Sequence, residues 1–168
     1  IGHSMGGTIG LYLTSQFTNI LDSIITINSP VFMFRYVQYA IKLSAILDLK
    51  FSPIKINKSK DDHIEEWTGY KNNIPFYSVQ EFLKLTYAAK NFLQKIKLPI
   101  HIIQSTGNRT VPPINCDIIY NNVSSKIKYF KKIDSHSHNI VVHKKDKFKI
   151  FDECKKFYNE VIAKLKYH

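Results

Sequence analysis

Cysteine is scarce: Cys116 and Cys154 are the only two, 38 residues apart and without a C-x-x-C pairing. That spacing excludes a disulfide framework and a zinc knuckle, and it fits a protein of the reducing cytoplasm. Arginine is scarcer still. Of 24 basic residues only Arg35 and Arg109 are arginines, although the net charge is +11. Readers of nucleic acid favour the bidentate guanidinium fork, and the lysines here are scattered rather than massed, so no nucleic-acid partner is expected. No long uninterrupted apolar run occurs. The nearest, "VFMFRYVQYAIKLSAIL", is broken by Arg35, Gln38 and Lys42, so no integral membrane segment is expected. The first ten residues have neither the charged start nor the apolar stretch of a secretory leader. No internal repeat is evident, and nothing in the spacing of His, Cys, Asp and Glu suggests a metal or cofactor.

What is present is a chain of 168 residues, 44% hydrophobic, enough for one domain with a core. "MGGTIGLYLTSQF" reads as a helix with Ile9, Leu13 and Phe17 recurring every four residues. "LDSIITINSP" is a β-branched run closed by Asn28, Ser29 and Pro30, hence a buried strand. Residues 31–49 turn helical, with Phe34, Val37, Ile41 and Ala45 on one face. "FSPIKINKSKDDHIEEWTGYKNN" has little period and reads as a surface excursion. A longer helix follows Pro75, striped by Val79, Phe82, Leu83, Ala89, Leu93 and Ile96. "IHIIQST" is a second buried strand, "PINCDIIYNNV" a short helix and "KIKYFKKI" a third strand. Residues 146–165 form a last helix, its apolar face given by Phe148, Phe151, Phe157, Val161 and Leu165. Strands alternating with helices predict an α/β fold with a mostly parallel sheet covered on both sides.

The chemistry begins at residue four. Gly2-His3-Ser4-Met5-Gly6 fits G-x-S-x-G. In that pattern the serine sits on a sharp strand-to-helix turn, and glycines two positions to either side relieve collisions with neighbouring elements. The hydroxyl then stands above the sheet at a helix N-terminus. The Met5 N–H is placed to hydrogen-bond an oxyanion there, aided by the helix dipole. The alternative is a glycine-rich helix start with an incidental serine.

"GHSMGG" resembles the nucleophile elbow of the α/β-hydrolases, in particular the monoacylglycerol lipase-like carboxylesterases. The resemblance continues through "ITINSP", "LPIHIIQSTGNRTVPP" and "SHSHNIV". It implies the C-terminal part of an α/β-hydrolase sheet, with a helical cap over approximately residues 31–90 in which Phe32, Phe34 and Tyr36 line an acyl pocket. It also implies hydrolysis of a small-molecule ester or thioester through an acyl-enzyme, with no cofactor. Because the elbow strand would end at Ile1, the resemblance makes this a C-terminal piece of a longer parent, short of the earlier strands and the second oxyanion donor.

Ser4 is then the nucleophile. The chain order serine, acid, histidine puts the base in the loop before the last helix, where "SHNIV" selects His138 and leaves His136 as second choice. At the position where the family's G-x-D-x-x-V-P loop carries aspartate, this chain has Asn108. An amide can accept a hydrogen bond from imidazole but cannot stabilise imidazolium. Three outcomes stay open at this point: Asn108 serves in a slow hydrolase, another carboxylate such as Asp134 substitutes, or the site is degenerate and the protein only binds.

Overall fold

The computed structural model describes residues 1–33, 38–39, 43, 53–55 and 73–166. Its main sheet has four strands, β1 (Gly2–His3), β2 (Ile24–Ile27), β5 (Ile100–Ser105) and β6 (Lys128–Ile133), in the order β1-β2-β5-β6. All three pairings are parallel, with Gly2 opposite Thr26, Ile24 opposite Ile100, and Ile100 opposite Lys128. A small antiparallel pair joins β3 (Pro53–Lys55), within the predicted excursion, to β4 (Asn73–Pro75), which starts at its last residue. Helices among the described residues include α1 (Met5–Gln16), α2 (Phe76–Phe92), α3 (Ile114–Asn122) and α4 (Lys147–Lys166).

Alternation along the two central strands divides the core. Ile24, Ile100 and Ile102 point to one face, where Leu11 of α1, Ala89 of α2 and Cys116 and Ile119 of α3 cover them, together with Leu93 and Ile96. Ile25, Ile27 and Ile103 point to the other, against Ile150, Phe157 and Val161 of α4. A sheet buried on both faces needs apolar side chains at successive positions, which explains the unbroken "IITI" and "IHII" runs. His101 interrupts the apolar run of β5, whose last two residues, Gln104 and Ser105, are also polar and buried. Its ring is buried edge-on against Phe157, and burial first, offset by Glu153 and Glu160, lowers its pKa so that it stays neutral. On the outer strand β6, Lys131 and Lys132 are exposed, a charge pattern that discourages further strand addition.

Two predicted helix faces are turned. On α1, Ile9, Leu13 and Phe17 are exposed, and the side against the sheet is Gly7, Thr8, Leu11, Thr14 and Ser15. The helix approaches too closely for a large stripe: a Cβ on Gly7 would overlap the Ser29 side chain. On α4, Phe157 and Val161 are buried as expected, whereas Phe148 and Phe151 point outward and Ile150 is buried instead. The predicted helix over 31–49 lies almost wholly outside the described residues, as do Phe34 and Tyr36.

Candidate active site

The hairpin from β1 into α1 begins with a strained residue. Ser4 has φ 53° and ψ −125°, outside the regions that L-residues ordinarily occupy. Its N–H donates to the Ile27 carbonyl at 2.8 Å, tying the bend to β2. A serine at the N-cap of a helix usually turns its hydroxyl back onto the helix amides, but Ser4 makes no such bond. The strained backbone swings Oγ away and leaves it for another partner. Gly2 is required by contact: a Cβ there would come within 2.5 Å of Gly6 O, Gly7 N and Gly7 Cα. The second glycine of the pattern is not. Nothing described lies within 4 Å of a Cβ built on Gly6, and the crowded position is Gly7. The steric argument therefore holds on the strand side of the serine but moves one residue along on the helix side.

His138 reaches this hydroxyl from the loop after β6, its Nε2 2.9 Å from Ser4 Oγ. Asn108, buried in the turn after β5, meets the other ring nitrogen, with Nδ2 3.1 Å from His138 Nδ1. The three residues selected from the sequence thus come together in the order Ser4, His138, Asn108. Asp134 does not join them, being exposed and within 3.4 Å of Thr106 Oγ1. His136 packs over Gly107 and is exposed. His63 and His168 lie outside the described residues.

The orientation of the Asn108 amide decides what this trio can do. Its Oδ1 accepts hydrogen bonds from the Thr110 N–H at 3.0 Å and the Val111 N–H at 2.9 Å. Main-chain amides can only donate, so the oxygen must face them and the NH₂ must face His138. Nδ2 then donates to Nδ1, which must be unprotonated, and the ring proton sits on Nε2, aimed at Ser4 Oγ. A general base needs the opposite tautomer, with Nε2 free to take the serine proton. Aspartate in this place would satisfy the same two amides with one oxygen and accept from Nδ1–H with the other.

Electrostatics add to the effect. Burial, and then the nearby His3, push the His138 pKa down from 6.5 to about 4, and no carboxylate among the described residues contacts the ring to oppose them. His3 is itself lowered, by burial, partly offset by its bond to the His138 carbonyl. Above pH 6.5 His138 is neutral in both folded and unfolded chains. As pH falls from 6.5 toward 4, the unfolded chain takes up a proton that the folded site refuses, so stability declines. We expect this residue to contribute a loss of about 1 kcal/mol per pH unit in that window. His138→Gln should flatten the corresponding slope of the thermal midpoint against pH; an unchanged slope would contradict the assignment.

Two asparagines that the sequence reading did not assign hold the surrounding loops. Asn115 is fully buried; its oxygen accepts from Val31 N and Phe32 N, and its amide donates to Phe32 O and Pro112 O. It joins the exit from β2 to the start of α3. Asn28, also fully buried, has φ 48° and bonds to both β5 and the His138 main chain. A strand ending in Asn-Ser-Pro signals a turn, but not these partners. Among the described residues, no cluster of side chains could hold a metal ion, and no helix is long and apolar enough to cross a membrane.

No family model and no curated protein sequence matches the chain. Solved structures do. A lipolytic enzyme of the metagenome-derived pair LipS and LipT is 23% identical with a TM-score of 0.79, covering 95% of this chain and 63% of its own. The monoacylglycerol lipase of Paleococcus ferrophilus is 11% identical with a TM-score of 0.78, covering 95% and 67%. A soluble variant of monoglyceride lipase from Saccharomyces cerevisiae is 18% identical with a TM-score of 0.69, covering 95% and 61%. The chain thus spans somewhat under two thirds of the length of the first of these. With a parallel sheet flanked by helices, a serine on the bend after β1 and neighbours of this kind, the chain takes the α/β-hydrolase fold.

Proposed function

We propose that the chain supplies the nucleophile and base of a serine hydrolase for carboxylic esters, carboxylesterase or monoacylglycerol lipase-like, that turns over slowly. The observation that carries this reading is the 2.9 Å approach of His138 Nε2 to the hydroxyl of a strained Ser4. The forward reaction runs from the minor tautomer, in which the ring proton has moved to Nδ1: Ser4 Oγ attacks the ester carbonyl while its proton passes to the freed Nε2. The oxyanion is met by the Met5 N–H, which as the first amide of α1 has no intrahelical acceptor. Nε2–H then protonates the departing alcohol, leaving the acyl-enzyme, and water repeats the sequence to free the acid and regenerate Ser4. Each half passes through an imidazolium whose Nδ1–H faces the Asn108 NH₂, donor against donor. Loss of the carboxylate in the well-studied serine protease triad lowers kcat by about 10⁴, and a similar deficit is expected here. The cap expected over approximately residues 31–90 is proposed to end before the second half of α2, whose Ala89 packs in the core of the main sheet. A cytoplasmic setting is consistent with the two unpaired thiols, Cys116 and Cys154.

The Asn108 orientation favours a second reading, in which the same site binds an acyl compound without cleaving it. A fluorophosphonate probe separates the two. The hydrolase reading expects slow, stoichiometric labelling that Ser4→Ala abolishes. Absence of labelling in the wild type, with folded protein confirmed by circular dichroism, would leave only the binding role.

A further inference from the structure

We infer that Asn28 is a positioning residue for the base, its side-chain amide holding the His138 main chain so that the ring meets Ser4. The inference rests on the reading of Ser4 and His138 as nucleophile and base. Asn28 stands one residue past β2, and its main-chain N–H donates to Ile103 O of β5 at 2.9 Å. Its side-chain oxygen accepts from the Ser105 N–H at 2.8 Å and lies 2.9 Å from Ser105 Oγ. As at Asn108, a main-chain donor fixes which end of the amide is which. The Asn28 NH₂ is therefore directed at the His138 carbonyl, 2.6 Å away. His3 Nε2–H donates to the same oxygen at 2.9 Å, filling its second lone pair. One residue earlier, Ser105 Oγ is 2.8 Å from Ser137 O.

The carbonyl of the base thus receives hydrogen bonds from the end of β2 and from the elbow itself. Neither bond touches the reacting atoms. Together they hold the Cα of His138, and hence the pivot of its ring, in register with the bend at Ser4. Misplacement of a catalytic group by about 1 Å can cost 10²-fold in rate, so such a tether is expected to matter for chemistry more than for stability.

Positive φ at Asn28 supplies a competing explanation, that asparagine is there only because it tolerates the left-handed region. Substitution by glycine separates the two, since Asn28→Gly keeps the backbone at ease while deleting the amide. The test is fluorophosphonate labelling of Ser4 across pH in the full chain, for wild type, Asn28→Gly and Asn28→Ala. It is paired with the ¹H–¹³C resonance of the His138 ring. Both variants should label at least about tenfold more slowly than wild type and show a shifted or broadened His138 resonance. The thermal midpoint of Asn28→Gly should stay within a few degrees of wild type. If Asn28→Gly labels like wild type and leaves the His138 resonance in place, Asn28 serves the backbone alone and the proposal is overturned. A lowered midpoint with an unchanged resonance overturns it equally. If wild-type Ser4 does not label at all, the hydrolase reading fails, yet the His138 resonance in Asn28→Gly still decides whether the tether exists.

Discussion

Asn108→Asp is expected to raise kcat toward a p-nitrophenyl ester by about 10³–10⁴-fold, a gain of function from a change of one atom. The carboxylate would keep the bonds from Thr110 N and Val111 N on one oxygen and present the other to His138 Nδ1–H. Three consequences follow together. The ring adopts the tautomer in which Nε2 accepts the Ser4 proton, the imidazolium gains a counter-charge, and the His138 pKa rises from about 4. The sign of the pH effect is checkable separately. A base must be neutral to act, so the weak wild-type activity should persist to well below pH 6. That of Asn108→Asp should decline as pH falls through the raised value. Equal rates for the two proteins, with Ser4 labelled in both, would show that the amide is not what limits turnover.

The second large effect is on folding. Gly2→Ala is expected to destabilise the chain by about 3 kcal/mol or more and to abolish labelling of Ser4. The added methyl would meet three main-chain atoms of Gly6 and Gly7 at 2.5 Å, closer than carbon atoms tolerate. Backbone cannot swing aside as a side chain can, so α1 must lift from β1. That movement breaks the pairing of Gly2 with Thr26 and the Ser4 N–H bond to Ile27, and it draws the hydroxyl away from His138. Gly6→Ala is the control. Its Cβ meets nothing described within 4 Å, and alanine in a helix is favoured over glycine by up to about 1 kcal/mol, so its thermal midpoint should hold or rise. Thermal unfolding followed by circular dichroism measures both. A midpoint for Gly2→Ala near that of wild type would mean that the elbow yields more easily than its contacts imply.

Much of this was legible in the sequence because the signals were local. β2 and β5 were β-branched runs between turn formers, β6 showed in its alternating character, Ser4 lay in a short motif with a steric rationale, and Asn108 was found through the resemblance of its loop to the family's G-x-D-x-x-V-P. What escaped was set by tertiary approach. Ile9, Leu13 and Phe17 marked α1 correctly as a helix, but the helix presses its small residues against the sheet, and periodicity alone does not weigh a glycine as a contact. The end-to-end orientation of the Asn108 amide was equally hidden. It depends on two main-chain donors whose direction is fixed only once the turn is folded. Asn28 was read as a strand terminator, and nothing nearby in sequence indicates the carbonyl it holds 110 residues away.

The pairing of β2 with β5 closes a long loop, since Ile24 lies opposite Ile100. Closing a flexible loop grows costlier only logarithmically, by about 0.6 kcal/mol for each doubling of its length. The sheet therefore gains little by keeping the intervening segment short, and changes in the length of that segment are expected to leave the pairing of β2 with β5 standing. The penalty is kinetic: the centre of the sheet must wait for distant stretches of chain to meet, which makes the parallel core a late and slow event in folding.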